Sequence, residues 1–134
     1  INLDEFPNQV VDVQIYILQA DAGTRTAGIN AASMALAQAG LSMKDLICSV
    51  AVGKNDKNII ADLTKKEEDY DEGEGATDFA IAKLANHDEL TLMQMDGKIQ
   101  PKRINEAIKL GFEVCKEIYE AQKKALKDCV KEEK

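Results

Sequence analysis

Residues 19–40, with the sequence QADAGTRTAGINAASMALAQAG, constrain the fold more than any other part of this chain. The segment predicts the end of an apolar strand, a tight turn at residues 22–24 and a helix that stops at Gly40. Small residues, mostly alanine, fill the body of this helix, so it carries almost no bulky or charged surface on any side. We therefore predict that the helix is buried and that neighbouring elements pack close to its backbone.

The start of that helix is a candidate anion site. A helix N-terminus presents N–H groups without intrahelical partners and the positive end of the helix dipole, and Arg25 adds a guanidinium group. Gly23, Thr24 and Arg25 are therefore predicted to bind phosphate or carboxylate. The alternative is that Thr24 serves only as an N-cap and Arg25 only as a surface residue, since most helix starts bind nothing but water.

The composition limits the class of protein. A chain of 134 residues with 45% hydrophobic residues suits a single globular domain over residues 1–134. No apolar run reaches the length that spans a membrane, so we expect a soluble, cytoplasmic protein. The net charge of −7 argues against a basic surface that binds nucleic acid, so any contact with RNA must be local or shared with another chain. Because the sequence begins with Ile1 rather than Met, we expect it to be a fragment, or the second piece of a longer or split chain.

The hydrophobic pattern predicts the order of the elements. Strands are expected at residues 9–19, 46–53, 59–63, 79–84 and 90–95, and a long final helix is expected to begin at Pro101. The order is thus a strand, a helix, four strands in two hairpin-like pairs, and a helix. This order is typical of an α+β domain, and we predict a mixed β-sheet with helices packed on one face.

Residues 64–78, TKKEEDYDEGEGATD, hold seven acids and two lysines. Such a run is often only a solvated loop, and that interpretation stays open. An EF-hand calcium loop is excluded, because its sixth position would be Glu74 rather than glycine and its twelfth Ala80 rather than glutamate. A general acid or an Mg²⁺ ligand needs only one or two carboxylates beside a bound phosphate. Asp69 and Asp78 are the predicted candidates for both roles, because they lie at the two edges of the loop, where neighbouring strands could fix them.

The sequence offers neither a nucleophilic triad nor a zinc site. His87, the only histidine, is predicted to lie in a hairpin turn, which leaves no histidine for a serine or cysteine triad. Cys48, Cys115 and Cys129 are odd in number and widely spaced, so we expect reduced, mostly buried thiols.

Four stretches of the chain resemble one known family. They are VDVQIYILQADAGTRTAGINAASMALAQAGLSMKDLI, AVGK, ADLTKKEED and LTLMQMDG. Together they resemble the second half of the RNase PH family, and within that family the catalytic RNase PH-like subunits of the archaeal exosome. The resemblance extends over essentially all 134 residues, so an RNase PH-type fold is expected.

The resemblance implies a 3′-to-5′ exoribonuclease that degrades single-stranded RNA with inorganic phosphate and releases nucleoside diphosphates. It implies that Gly23, Thr24 and Arg25 bind the attacking phosphate. It also implies that Asp69 acts as the proton donor or as a ligand of a metal such as Mg²⁺, with Asp78 as a second catalytic acid. The implied partners are RNA, homologous subunits in a hexameric ring, and the missing N-terminal half, which in the family supplies core strands and RNA-binding arginines.

Other interpretations stay open beside this one. The loop between Asp69 and Asp78 is longer than the family usually has, with GEGATD where a shorter turn is common. The family also contains non-catalytic scaffold subunits, although the retention of Arg25 and Asp69 favours the active type. The further alternatives are RNase PH itself, which trims transfer-RNA 3′ ends, and a small phosphate-binding regulatory domain.

Overall fold

A four-stranded antiparallel sheet forms the centre of the molecule, which is described over residues 1–132 in a computed structural model. Its strands are β1 (Ile47–Asn55), β2 (Asn58–Ala61), β3 (Ala76–Leu84) and β4 (Leu90–Gly97). They lie in the order β2-β1-β3-β4, and each neighbouring pair is antiparallel. The four strands predicted after residue 45 are therefore confirmed, but the sheet formed by the described strands is antiparallel rather than mixed.

One face of the sheet is covered by the long helix α3 (Pro101–Glu132). Proline at the first helical position has no N–H to leave unpaired, and apolar side chains then recur every three or four residues. The core between α3 and the sheet consists of Cys48, Val50, Val52, Phe79, Ile81, Ala107 and Cys115. Within the described part of the chain, no helix is both long and apolar enough to cross a membrane.

The helix α1 (Thr24–Gln38) lies at the edge of β1 and against the other face of the sheet. Asn30 accepts a hydrogen bond from the Ser49 amide and donates to the Ser49 carbonyl, and the Ser33 hydroxyl accepts from the Ile47 amide. These bonds pair the part of β1 that β2 does not reach. The first turn of α1 lies beside Ala51, whose side chain points away from α3. The α+β class is confirmed: α3 covers one face of the sheet, and α1 lies along the edge of β1 with only its first turn beside the other face.

The burial of α1 also differs from the prediction. Thr26, Gly28 and Ser33 are buried, whereas Ala27, Ala31 and Ala35 are exposed along the opposite side. The prediction of a helix buried on all sides is therefore wrong for this chain. The physical reason is that the sheet and α3 contact one side of the helix, while the alanine side is covered only in part, at Gly28, where the Ile15 side chain lies against the helix.

The first predicted strand, residues 9–19, forms no regular secondary structure and makes no strand pairing. Its apolar side chains are exposed; Val10 and Leu18, for example, expose 84% and 97% of their surface. A β-strand is stabilised by the hydrogen bonds of a neighbouring strand, and no described strand pairs with residues 9–19. The alternating pattern thus indicates a strand whose partner is absent from the described residues.

The acidic loop contains a short helix that the sequence analysis did not predict, α2 (Lys65–Glu68). Thr64 and Glu67 form a capping box at its start, in which the Glu67 carboxylate accepts from the Thr64 amide and hydroxyl. Strand β3 begins at Ala76, so Asp78 lies inside a strand and not at the edge of a loop. Asp69 follows α2 directly and forms its C-cap.

Candidate functional site

The turn before α1 is held in an unusual backbone conformation. Ala22 and Gly23 both have positive φ angles, of 60° and 58°. Gly23 occupies the N-cap position, so Thr24 is the first helical residue and not the cap. The Thr26 hydroxyl and the Ala27 amide both donate to the Gly23 carbonyl, over 2.8 and 3.1 Å. The first-turn amides before Ala27, those of Thr24, Arg25 and Thr26, have no intrahelical acceptor and can bind an anion.

The predicted phosphate-binding residues line a small pocket together with two acids. This inner pocket has a volume of about 130 Å³ and is lined by Ala22, Gly23, Thr24, Arg25, Thr26, Ala51, Glu68, Asp78 and Ala80. The structure therefore brings Gly23, Thr24 and Arg25 beside Asp78, although more than 50 residues separate them in the sequence. Strand β3 brings Asp78 there, since its side chain points to the face on which α1 begins.

A second pocket, the outer pocket, adjoins the first. It measures about 260 Å³ and is lined by Lys65, Glu68, Asp69, Ala76, Asp78, Asp96 and Gly97. Glu68 and Asp78 line both pockets, so the two pockets adjoin, and together we call them the cleft. Asp96 lines this pocket because β4 pairs with β3 in a register that places Asp96 opposite Asp78. The cleft thus combines one cationic end with several carboxylates.

The environment of Asp78 alters its acidity. Its pKa is raised, first by burial and then by the negative charge of Glu68, while Arg25 lowers it in part. A raised pKa keeps a larger fraction of the carboxyl group protonated near neutral pH. Asp78 can therefore act as a proton donor at a place where Arg25 favours a bound anion.

Asp69 lies further out than the sequence analysis predicted. Its side chain is 61% exposed and forms an ion pair with Lys65 over 2.7 Å. It lines the outer pocket but not the inner one. The position of α2 explains this difference, because Glu68, one residue earlier, is the acid that the helix turns toward the 22–25 turn.

The cleft fits a magnesium ion only with ligands from outside the protein. No three His, Cys, Asp or Glu side chains of the described residues lie close enough together to hold a metal ion. Mg²⁺ usually takes one or two carboxylates and completes its shell with water and substrate phosphates. Asp69 and Asp78 line the same outer pocket and could supply these one or two carboxylates.

The remaining candidate groups lie away from the cleft. His87 is exposed in the turn between β3 and β4, as predicted. Cys48 and Cys115 are buried beneath α3, and burial raises their pKa values to about 12 and about 11. Both therefore stay protonated and unreactive at neutral pH. The prediction of mostly buried thiols is confirmed for these two, while Cys129 is partly exposed.

Sequence reasoning missed two residues of the cleft. The sequence predicts Asp69 rather than Glu68, because the orientation of these neighbouring acids depends on helix α2, which is not predicted. The sequence does not single out Asp96, because its place opposite Asp78 follows from the β3–β4 register. The available signals were the T-x-x-E capping pattern at residues 64–67 and the MDG segment at the end of β4.

A hydrogen bond joins the two sides of the cleft. The Asp21 carboxylate accepts from the backbone amide of Lys65, the first residue of α2, over 2.9 Å. Asp21 directly precedes the 22–25 turn, so α2 and that turn are fixed to each other through one side chain. The position of Glu68 and Asp69 therefore depends on the same segment that carries Arg25.

Two family models match the chain. Residues 45–114 match the model described as "3' exoribonuclease family, domain 2", and residues 1–42 match the model of "domain 1" of the same family. A crystal structure of rice (Oryza sativa) Rrp46 aligns with a TM-score of 0.72 over 82% of this chain and 51% of that one. At 20% sequence identity, this alignment supports the RNase PH-like fold alone.

Curated relatives agree with the family matches. "Exosome complex component Rrp41" of Thermococcus gammatolerans is 49% identical over 94% of this chain. The protein of the same name from Nitrosopumilus maritimus is 41% identical over 96%. The chain spans about half the length of these relatives, 49% of the first and 51% of the second. With two domain models matched and relatives this similar, the chain belongs to the 3′ exoribonuclease family of RNase PH domains, as the sequence predicted.

Proposed function

We propose that this chain is part of a phosphorolytic 3′-to-5′ exoribonuclease that degrades single-stranded RNA with inorganic phosphate. The observation that supports the proposal is the inner pocket, where the turn at Gly23, Thr24 and Arg25 faces Asp78 and Glu68. Phosphorolysis needs an anion site and a proton donor next to each other. The cleft offers both within one cavity.

The reaction assigns a role to each side of the cleft. An oxygen of the bound phosphate attacks the phosphorus of the terminal phosphodiester, and the bond from that phosphorus to the 3′ oxygen of the preceding nucleotide breaks. The departing 3′ oxygen takes a proton, and the products are a nucleoside diphosphate and an RNA that is one nucleotide shorter. Helix-end amides and the Arg25 guanidinium offset the charge of two anions brought together.

Asp78 is the proposed proton donor. It lines the inner pocket beside Arg25, and its raised pKa favours the protonated form that a proton donor to the leaving oxygen needs. Asp69, in the outer pocket, is the proposed second acid. If Mg²⁺ takes part instead, Asp69 and Asp78 would hold it in their ionised forms, and the ion would supply charge neutralisation for the phosphates.

The assembly is part of the proposal. The chain carries a net charge of −7, so we assign most of the RNA-binding charge to protein outside it. The curated relatives are named exosome components and are about twice as long as this chain. We propose that the chain acts as a catalytic subunit in a hexameric exosome ring, together with an N-terminal half that completes its domain and with homologous RNase PH-like subunits.

The test uses the protein with every chain that accompanies it in purification. A 5′-labelled single-stranded RNA is incubated with and without inorganic phosphate, and the released nucleotides are identified. The proposal predicts shortening from the 3′ end only with phosphate, with nucleoside diphosphates as products. Release of nucleoside monophosphates without phosphate would contradict it. No shortening by the complete assembly would favour the scaffold subunit, and activity confined to transfer-RNA 3′ ends would favour RNase PH.

A further inference from the structure

Two lysines are buried in the sheet, and one of them is bonded to the loop that carries Glu68 and Asp69. Lys54 in β1 and Lys83 in β3 are 3% and 2% exposed, and both point to the face that α3 covers. Lys83 lies over the Phe112 ring and 3.4 Å from the exposed Asp88 carboxylate. A buried ammonium group is costly unless it is paired. The partners of Lys54 therefore show what its burial accomplishes.

The partner of Lys54 is the acidic segment, which we define as residues 67–75. The Lys54 ammonium donates to the Glu74 backbone carbonyl over 2.5 Å and lies 3.9 Å from the Glu74 carboxylate. A bond to a main-chain oxygen fixes the path of the backbone, which an ion pair between two side chains does not. Lys54 thus attaches the far end of the acidic segment to the centre of the sheet.

The two residues after Lys54 hold the same segment. The Asn55 side-chain amide donates to the Glu67 carbonyl over 3.0 Å, at the start of the segment. Asp56 accepts from the Glu74 amide and donates its own amide to the Gly75 carbonyl, each over 3.1 Å. The end of β1 therefore holds both ends of the stretch that carries Glu68 and Asp69. Glu68 and Asp69 are also bonded to Thr64 and Lys65 within α2, whereas residues 70–74 form only a bend and a turn, so the bonds to Glu74 and Gly75 fix the far end of the segment.

Charge adds a second reason for the buried ammonium group. Residues 67–74 contain six carboxylates, Glu67, Glu68, Asp69, Asp71, Glu72 and Glu74. Like charges this close repel one another and favour an expanded loop. A cation fixed beneath the segment opposes that expansion, and its burial reduces the screening by salt.

We propose that Lys54 is a positioning residue, which holds the acidic segment so that Glu68 and Asp69 keep their places beside Asp78. This inference rests on the proposed function for its effect on catalysis. Its structural part, the attachment of the segment, is tested separately. Lys54 does not touch the pockets that would hold phosphate and RNA. Its loss should therefore slow the reaction without weakening phosphate binding.

The experiment compares Lys54→Met with Lys83→Met in the complete assembly. Both substitutions remove a buried ammonium group from the same face of the sheet, but only the first removes a bond to the acidic segment. Two quantities are measured, namely amide hydrogen exchange in residues 67–75, and kcat with the KM for phosphate. Lys54→Met should speed exchange in the segment about tenfold or more and lower kcat by roughly tenfold to a hundredfold, with the KM for phosphate changed less than about twofold. Lys83→Met should change neither exchange in the segment nor kcat.

A second variant covers the case in which Lys54→Met does not fold. Asp56→Gly removes an acceptor from the same attachment without touching the core, and glycine suits the positive φ of 50° at this position. It should show the same pattern with a smaller change. Unchanged exchange in the segment, or faster exchange with an unchanged kcat, would overturn the proposal. If the unsubstituted assembly shows no phosphorolysis, the proposed function fails, and the exchange data alone decide whether Lys54 holds the segment.

Discussion

At the scale of single residues, the turn before α1 combines function with backbone strain. Ala22 has a φ of 60°, in the left-handed region that is unfavourable for residues with a Cβ atom and that glycine adopts without strain. Such strain is tolerated where the surrounding structure fixes the backbone, and it is common at binding sites. The Thr26 and Ala27 bonds to the Gly23 carbonyl supply that fixation here.

We predict that Ala22→Gly stabilises the protein by about 1 kcal/mol, because it removes the left-handed strain. The matched control is Ala35→Gly, the same chemical change at an exposed position inside α1, which should destabilise by about 1 kcal/mol. Denaturant unfolding of both variants measures the two free energies. Equal losses of stability in both variants would show that the backbone at residue 22 is not strained.

The acidity of Asp78 gives a second prediction at this scale. The Glu68 charge raises the pKa of Asp78, so Glu68→Gln should lower that pKa. A proton donor must be protonated, so the rate falls as pH rises through the pKa of Asp78. The alkaline fall in kcat should therefore begin at a lower pH in Glu68→Gln than in the unsubstituted protein. Glu120→Gln on α3 is the control and should leave the pH profile in place; a shift to higher pH in Glu68→Gln would contradict the assignment.

At the scale of elements, the sequence predicted the parts better than their pairing. Period-two and helical patterns located all four sheet strands and both long helices, because these patterns reflect local burial. The one-sided packing of α1, the antiparallel order and the position of Asp96 opposite Asp78 depend on contacts between distant segments. The short helix α2 consists only of charged residues, so no hydrophobic pattern predicts it. The orientation of Glu68 and Asp69 therefore could not be predicted. The turn at Gly23 and Arg25 was predictable because a helix start is a local feature.

The contact between α3 and the sheet leads to the third prediction. A Cβ atom added at Gly111 would overlap the Ile81 side chain, which is fully buried, and would also contact Val52. Gly111→Ala should therefore destabilise the protein by about 1–3 kcal/mol through overpacking, although alanine is the better helix former. Ile81→Val removes the Cδ1 atom that the new alanine would contact. Combining Ile81→Val with Gly111→Ala should therefore recover part of the lost free energy of unfolding. A double-mutant cycle in denaturant unfolding measures this coupling; purely additive losses would contradict the contact.

At the scale of the whole molecule, the chain presents one side that lacks a neighbour. Residues 9–19 expose several apolar side chains and pair with no strand, and the exposed side of α1 beside them carries Ala27 and Ala31. Small side chains allow another element to pack close to the helix backbone. The chain matches about half the length of its curated relatives, so the remainder of the family domain is the proposed neighbour.

Hydrogen exchange tests that proposal, which is the fourth prediction. The amides of residues 9–19 should exchange rapidly in this chain alone, because no strand pairs with them. In a protein that also contains the N-terminal half, they should become protected by pairing with the added strands. The amides of β1 are the internal control, since they are already paired in this chain and should be slow in both. Continued rapid exchange at residues 9–19 in the longer protein would contradict the proposal.

The central claim is that the turn at Gly23, Thr24 and Arg25 binds the attacking phosphate. The most direct test measures the rate of RNA shortening against phosphate concentration for the complete assembly and for two arginine variants. Arg103→Ala is the matched control, because Arg103 is bonded to the Lys57 carbonyl and to Glu106, neither of which lines the cleft. We predict that Arg25→Ala lowers kcat/KM for phosphate by about a hundredfold and that Arg103→Ala leaves it within about twofold. An unchanged phosphate dependence in Arg25→Ala would contradict the account.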